Sequence, residues 1–499
     1  MRLPEPAAGR SRFDFGAKVA RAADLGRVHF VAIGGAGVSS VALAYLQAGN
    51  IVTGSDQRDS PTLNLLRQGG AEVFVGHDAS HLTDADTVII SGAVPETNPE
   101  VAAARRRGIP VLHRAQGIAA LGRDRDLVAV AGANGKTTTS AMVVAALAAG
   151  GRDPGYVIGS PLVATGSSAA LGSGPMVIEA DESDGSFVAY RPRVGIVTNV
   201  MADHLDFFGT FAGVQSAFRA FVDSVDLDGL LLANADDEGA LALARYAATR
   251  RSTLTWGQST EADVRLSDVQ QSGAHVEATL VWPAAERLGE RASAGLERCG
   301  NEVSTSLSVP MPGLHNMQNA AGAVVAAVAG YGVRPEDASA GLADFGGTRR
   351  RFELIGEAGG VRVIDDYAHN PAKVAAVVRA GRAAAKNQGR VVVAFQPHLY
   401  SRTRDFAADF AEGLRDADVV MVLDVYGARE EPIAGVGAHT IVDLLRSPTI
   451  LGSVPLHEAA AILAEELRPG DVMLTVGAGD ITTLAAAILR RLQQGRARG

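Results

Sequence analysis

One lysine in a glycine-bounded turn carries the most specific chemistry in the chain. In DLVAVAGANGKTTTSAMVVAALAAGG, Asp126 to Gly151, the apolar run Leu127 to Ala131 suits a buried parallel strand, and Ser140 to Ala149 is rich in helix formers. Gly132, Ala133, Asn134, Gly135, Lys136, Thr137 and Thr138 must therefore turn between them. The glycines allow close backbone approach, so that successive N–H groups at a helix start face an anion. Lys136 then reaches β- and γ-phosphates and the Thr137 hydroxyl reaches a magnesium ion, which is the chemistry of a nucleoside-triphosphate site. The pattern is the shorter G-x-x-G-K-T, because Val130 stands where the longer one wants glycine. For the bare string, an ordinary strand-to-helix turn with a surface lysine is the competing reading.

Two more apolar runs end in polar clusters: MVIEADESDGSF, Met176 to Phe187, and VGIVTNVMADHLDFFGT, Val194 to Thr210. In open parallel sheets ligands collect beyond the carboxyl ends of strands, which brings these clusters near Lys136. Glu182 and His204 are the candidate metal contacts, since a magnesium bridging phosphates takes only one or two protein ligands. Against this, Asp181, Glu182 and Asp184 could be helix-capping acids and His204 a loop residue.

The elements that position these residues form three segments. The first opens with Val28 to Asp56, read as strand, glycine turn, helix, strand and acid: a Rossmann-like half in which Gly35 and Gly37 begin a G-x-G-x-x-G pattern that Ser40 breaks. A doubly wound sheet without a nucleotide fits nearly as well. Strands follow at Thr87 to Ser91 and Pro110 to Leu112, a solvated helix face lies at Ala102 to Gly108, and a boundary is expected near Arg123. In the second segment, Ser252 to Val309 reads as strands broken by a polar excursion, Ala285 to Glu302. His315, Asn316 and Asn319 then open an apolar helix, where capping explains one asparagine and base or ribose contacts would explain the others. The third segment starts near Phe345 and alternates strands with helices again. Arg350, Arg351, Asp366, His369, His398, Arg402, Arg404, Tyr426 and Glu430 are expected to gather on one sheet edge, because they follow successive strand ends.

Composition narrows the function classes. A chain of 499 residues suggests about three domains. A formal charge of -9 offers no basic field for nucleic acid. The single cysteine, Cys299, excludes an intramolecular disulfide and a cysteine zinc cluster, in keeping with a reducing cytoplasm. No apolar run is long enough to span a membrane, and Met1 to Asp24 lacks the apolar core of a signal peptide, so a cytoplasmic protein without nucleic-acid or membrane partners is expected.

AIGGAGVSS with GSD, GANGKTTT, EADESDGSF, TNVMADHLD, PGLHNMQN, RRFE, DDYAHNP, FQPHLYSRT and GAGDI together resemble the Mur ligases, from about Val28 to Leu489. The resemblance implies an α/β chain of three domains: an N-terminal Rossmann-like one for a UDP-sugar (1–123), a central P-loop ATPase-like parallel sheet (124–344) and a C-terminal Rossmann-like one (345–499). It implies ATP-dependent activation of the lactyl carboxylate of UDP-N-acetylmuramate, capture by the amine of L-alanine, and release of ADP and phosphate, with Mg2+ or alternatively Mn2+. It further implies that Gly34, Gly35, Ala36, Gly37 and Ser39 hold the UDP pyrophosphate, with Asp56, His77 and Ser91 nearby. Gly132 to Thr138 bind the ATP phosphates. Thr137, Glu182 and His204 hold the metal, Asn316 and Asn319 meet the adenine side, Arg351 reaches the phosphates and Asp366 the ribose. His369, His398 and Arg402 shape the amino-acid site, with His369 orienting or deprotonating the incoming ammonium. A monomer or homodimer is expected.

Departures from the family pattern sharpen these expectations. The usual loop reads G-T-H-G-K-T, so Ala133 and Asn134 keep the backbone donors but not the side chains. Leu399 occupies a slot where arginine is frequent, leaving carboxylate recognition to Arg402 and Arg404. Gln215 to Val222 holds no lysine for carbamylation. A ligase joining a murein tripeptide to the same sugar remains the nearest alternative. A nicotinamide enzyme built on Gly35, Gly37 and Asp56, or a noncatalytic nucleotide switch, would leave several motifs without work.

Overall fold

The computed structural model describes residues 12–273, 275–283, 304–385, 389–428, 430–446 and 448–496. The polar excursion Ala285 to Glu302, Cys299 and the first eleven residues lie outside the described residues. The described residues form two compact units, one from within 1–270, 277–309 and 314–346 and the other from within 271–276, 310–313 and 347–499.

The first unit opens with five parallel strands, β1 (Val28–Val31), β2 (Val52–Asp56), β3 (Glu72–Val75), β4 (Thr87–Ile90) and β5 (Val111–His113), in the order β3-β2-β1-β4-β5. β1 and β4 are wholly buried and read VHFV and TVII, the apolar runs of strands covered on both faces. Helices α1 (Ala36–Gln47), α2 (Pro61–Gln68), α3 (Pro99–Arg107) and α4 (Arg114–Leu121) connect them. The order reverses between β1 and β4, so the crevice of this Rossmann-like sheet opens beyond the carboxyl ends of those two strands.

The central sheet has ten strands, β6 (Leu127–Ala131), β7 (Gly155–Val157), β8 (Ala169–Ala170), β9 (Met176–Glu179), β10 (Val194–Val197), β11 (Leu230–Asn234), β12 (Ser252–Gly257), β13 (Val264–Ser272), β14 (His275–Val281) and β15 (Ser304–Val309). Their order is β15-β14-β13-β12-β11-β10-β6-β9-β7-β8, which flanks β6 by β10 and β9, both parallel to it. α5 (Lys136–Ala149) follows β6 directly. It starts four residues before the expected Ser140, because Gly135 at φ 83° completes the turn in the left-handed region and makes Lys136 the first helical residue. The helix Leu314–Tyr331 packs on α5 and on β12; Gly322 lies against Trp256, whose indole N–H donates to the Gln318 carbonyl at 2.9 Å. A Cβ at Gly322 would stand 2.7 Å from the Trp256 ring, so glycine there sets how closely helix and sheet approach.

The second unit is a six-stranded sheet, β16 (Glu353–Ala358), β17 (Val361–Asp366), β18 (Val391–Phe395), β19 (Val419–Leu423), β20 (Thr449–Val454) and β21 (Val472–Val476), ordered β16-β17-β21-β18-β19-β20. Only β16 is antiparallel. The fully buried VVVAF, VVMVL and VMLTV strands form its centre, and their carboxyl ends open on one edge. The α/β architecture with three sheets is as the sequence implies.

Candidate functional site

The phosphate loop is built by its neighbours. Gly132 takes φ 142°, and a Cβ there would stand 2.0 Å from Thr198 Oγ1; one at Gly135 would stand 2.6 Å from Asn319 Oδ1. Thr198 and Asn199, just past β10, clasp the turn. Asn134 N–H donates to Asn199 Oδ1 at 2.9 Å, while its carbonyl accepts from Thr198 Oγ1 at 2.7 Å and from Asn199 Nδ2 at 3.0 Å. Backbone donors are therefore held in place without help from the side chains of residues 133 and 134. Ala133 is buried, and the Asn134 amide turns to the Met201 sulfur at 3.2 Å. Asn319 thus lies beside the loop, buried along with Asn316.

Lys136 Nζ donates to the Gly132 carbonyl at 2.7 Å and to Glu182 Oε1 at 2.9 Å, and lies 2.8 Å from Glu182 Oε2. Burial works against its charge, yet Glu182, Asp181 and Glu179 together hold the ammonium above its ordinary pKa. Burial pushes Glu182 up as well, and Asp181 adds to that push despite Lys136. The causes differ: burial holds Glu182 up, whereas Lys136 is held up by the carboxylates of Glu182, Asp181 and Glu179, three acids around one ammonium that leave the pocket short of positive charge. His204, at φ 54° in the left-handed region, brings Nε2 to 3.7 Å from Glu182 Oε1. Among the predicted metal contacts Glu182 and His204 therefore meet, whereas the Thr137 hydroxyl donates to Glu179 Oε2 at 2.8 Å. Glu179, which the sequence reading did not select, is the last residue of β9 and pairs in register with Val130, two positions before Gly132. Its alignment with the phosphate-loop strand is the clue that would have identified it.

A divalent ion fits this set. Among the described residues no three His, Cys, Asp or Glu side chains already stand at metal-binding geometry. The Glu182 Oε2 atom is buried with the Lys136 ammonium 2.8 Å away, and a hydroxyl, two carboxylates and an imidazole around a single ammonium are a hard donor set suited to Mg2+ or Mn2+.

Around the first sheet, Gly34 N–H donates to Asp56 Oδ2 at 2.9 Å, so Asp56 shapes the glycine turn that leads to Ala36, the first residue of α1. Gly35 precedes that helix as its N-cap. Gly37 gives room to Arg114, whose Nη1 would stand 2.3 Å from a Cβ there. Ser39 is buried with its hydroxyl turned to the Ala36 carbonyl at 3.3 Å, a contact inside its own helix and not one aimed into the crevice. Ser91 sits just past β4 at the topological switch point. His77 Nδ1 lies 2.9 Å from Glu100 Oε2 and 2.9 Å from Ser55 Oγ. Glu100 is fully buried and also meets His81 at 2.9 Å and His29 at 3.4 Å. Although burial opposes ionisation, hydrogen bonds from His29, Ser55 and His81 lower its carboxyl to about 2. His77 is thus tied first to a buried carboxylate hub.

In the second unit two groups form. Asp366 accepts from the Phe352 and Ala368 N–H groups, both at 2.7 Å; burial raises its carboxyl to about 6 against the pull of Arg351. The guanidinium groups of Arg350 and Arg351 lie 4.8 Å and 5.3 Å from the Tyr367 ring centroid, and Arg350 Nη2 donates to the Gly477 and Gly479 carbonyls at 2.6 Å and 3.0 Å. The other group joins His369, His398, Arg402 and Tyr426. The His398 ring lies 6.0 Å from His369 and 5.9 Å from Tyr426, and Arg402 Nη1 is 3.4 Å from both the His369 carbonyl and His398 Nδ1. His369 Nδ1 sits 3.0 Å from the Tyr367 carbonyl, and burial lowers its pKa to about 4, leaving a neutral ring at pH 7. Arg404 does not join: it pairs with Asp405 at 2.7 Å on an exposed stretch. Glu430 is occupied by the Ser401 N–H and hydroxyl. Arg404 therefore lies outside the group in which it was expected to share carboxylate recognition; within this group the cation is Arg402.

Comparison with known proteins agrees with this geometry. Residues 27–125 match the model of the Mur ligase family catalytic domain, 130–327 the Mur ligase middle domain, and 350–479 the Mur ligase glutamate ligase domain. The UDP-N-acetylmuramate--L-alanine ligase of Kineococcus radiotolerans is 49% identical over 486 residues, covering 96% of this chain and 99% of that protein. A solved UDP-N-acetylmuramate-alanine ligase from Thermotoga maritima superposes with a TM-score of 0.76 at 29% identity, covering 94% of this chain and 99% of that one. The murein peptide ligase of Psychrobacter arcticus gives 0.66 at 24% identity, covering 94% and 98%, and so shares the fold.

Proposed function

This chain belongs to the Mur ligase family, and from that premise we propose that it joins L-alanine to the lactyl carboxylate of UDP-N-acetylmuramate with conversion of ATP to ADP and phosphate. The observation that carries the reading is the pairing of near-complete similarity to ligases of that name with a glycine loop whose lysine faces a carboxylate pocket short of positive charge.

A carboxylate attacking the γ-phosphoryl group meets like charge, so the residues that neutralise the nonbridging oxygens govern the first step. Lys136 would leave Glu182 for the phosphates, and the loop 132–138, with its Ala133 and Asn134 N–H groups held by Asn199, would cradle them at the start of α5. Thr137, Glu179, Glu182 and His204 would hold the Mg2+, which when bound supplies further positive charge to the transferred group. Asn316 and Asn319 are assigned to the adenine side, Asp366 to the ribose and Arg351 to the phosphates. Gly34, Gly35, Ala36 and Gly37 are assigned to the UDP diphosphate, with Ser39, Asp56, His77 and Ser91 around it. The L-alanine carboxylate is assigned to Arg402 beside His398. His369 keeps its ring neutral, so Nε2 accepts a hydrogen bond from the alanine ammonium and orients it; with a pKa of about 4 the ring is too weak a base to keep the proton, which passes to solvent, and the neutral amine attacks the acyl phosphate with loss of phosphate.

On this reading, residues 1–123, 124–344 and 345–499 serve the sugar nucleotide, ATP and the amino acid in turn. The protein is assigned to the cytoplasm as a monomer or homodimer. No helix among the described residues is long and apolar enough to cross a membrane. Phosphate release from ATP with UDP-N-acetylmuramate, measured separately with L-alanine, glycine, L-serine and the murein tripeptide, tests the assignment. Sugar-dependent release strongest with L-alanine is expected; preference for the tripeptide would move the chain to the recycling reaction.

A further inference from the structure

Arg114 stands where the two halves of the first unit meet. It is the first residue of α4, and its Nη2 donates to Asp181 Oδ2 at 2.6 Å. On its other side the guanidinium fills the space that glycine leaves at position 37, within the first turn of α1. Asp181 adjoins Glu182, the partner of Lys136. One guanidinium thus connects the glycine turn of the first sheet with the carboxylates of the phosphate loop.

A simple brace would not need this arrangement. Two other bridges already fasten the same faces: His113 Nε2 lies 3.1 Å from Asp184 Oδ2, and Ser40 Oγ lies 2.7 Å from Ser168 Oγ. Arg114 differs in what it can exchange. A diphosphate entering beside Gly37 offers the guanidinium oxygens that compete with Asp181, and Arg binds carboxylate and phosphate with the same planar fork. Any weakening of its hold on Asp181 changes the charge next to Glu182, Lys136 and the metal position.

We propose that Arg114 is a positioning residue that couples the two nucleotide sites, so that occupancy of the sugar-nucleotide site is felt at the phosphate loop through Asp181. The inference rests on the ligase reading above.

Isothermal titration of the full-length protein would measure the affinity for UDP-N-acetylmuramate with and without a saturating nonhydrolysable ATP analogue and Mg2+. In the wild type the ratio of the two affinities should differ from one by roughly fivefold or more. Arg114→Met and Asp181→Asn should each bring the ratio close to one, with the double variant no further changed, and Arg114→Lys should restore part of it. Ser40→Ala, which removes an uncharged bridge of the same interface, should keep the wild-type ratio. If Arg114→Met does not fold, Arg114→Lys and Asp181→Asn decide the matter. A wild-type ratio of one, or a ratio unchanged in the variants, overturns the proposal. Absence of any UDP-N-acetylmuramate binding by the wild type would overturn the ligase reading instead.

Discussion

Thr137 donates its hydroxyl to Glu179 Oε2 at 2.8 Å, and the same oxygen accepts the Gly159 N–H at 2.9 Å. Two donors from opposite sides fix a carboxylate beside the residue that the phosphate-loop pattern assigns to a metal. Glu179→Gln keeps the shape but removes the charge. It is expected to raise the Mg2+ concentration for half-maximal rate about tenfold or more. An unchanged Mg2+ titration would exclude Glu179 from the metal site.

Lys136 places its ammonium at the loop itself, 2.7 Å from the Gly132 carbonyl. Lys136→Ala should lower turnover roughly a hundredfold or more, as loss of a charge that stabilises a transferring phosphoryl group does. It also leaves Glu182 buried without its cation, so the thermal midpoint should fall unless Mg2+ is added. Single-turnover phosphate release, with melting curves at two Mg2+ concentrations, separates the two effects.

Gly132→Ala meets a double obstacle: φ 142° and a Cβ 2.0 Å from Thr198 Oγ1. Backbone strain of this kind costs about 1–3 kcal/mol. Nucleotide affinity, measured with a fluorescent ATP analogue, should drop even where the variant stays folded, because relief of the clash displaces the loop. Thr198→Ala in the same chain removes the clash but not the strain, and should restore affinity only partly.

The pH response of the second unit follows from the buried Asp366 and the half-buried His369, which shift in opposite directions. His369 has its pKa lowered from 6.5 to about 4, so the unfolded chain binds more protons between those values. Its contribution, at most about 3 kcal/mol, is complete above pH 6.5 and is lost as pH falls toward 4. Asp366 is raised from 3.8 to about 6, so its burial favours the folded state most below pH 3.8 and that advantage is lost as pH rises through 6. His369→Gln should therefore flatten the acid side of a denaturant-midpoint-versus-pH curve, while Asp366→Asn should flatten the slope of opposite sign. A variant curve parallel to the wild type would refute the corresponding assignment.

Much of this was legible in the sequence wherever chemistry and local pattern coincide. Lys136 and its glycines announce themselves by spacing, and the buried strands VVVAF and VMLTV by uninterrupted apolar runs. Other residues act through partners far away in the chain. Arg114 reads as one more arginine at a helix start, and its meaning depends on Asp181, 67 residues later. Asn199 is one polar residue after a strand until Asn134 is placed against it. Glu179 was passed over for Glu182 because two acids three residues apart are equivalent until strand register distinguishes them. Arg404 was expected in a cluster it does not join, since a neighbouring Asp405 is enough to hold it on the surface.

The clasp of Thr198 and Asn199 around the phosphate loop has a pharmacological consequence. A competitor of ATP that seeks side-chain contacts at positions 133 and 134 would meet a buried methyl group and an amide already turned to a thioether. The main-chain N–H groups at these two positions are taken up as well, Ala133 by the Asn199 carbonyl at 3.3 Å and Asn134 by Asn199 Oδ1 at 2.9 Å. Discrimination between this enzyme and other ATP users must therefore be designed against groups beside the loop, such as Glu179 and the Gly159 backbone, and not against the loop itself.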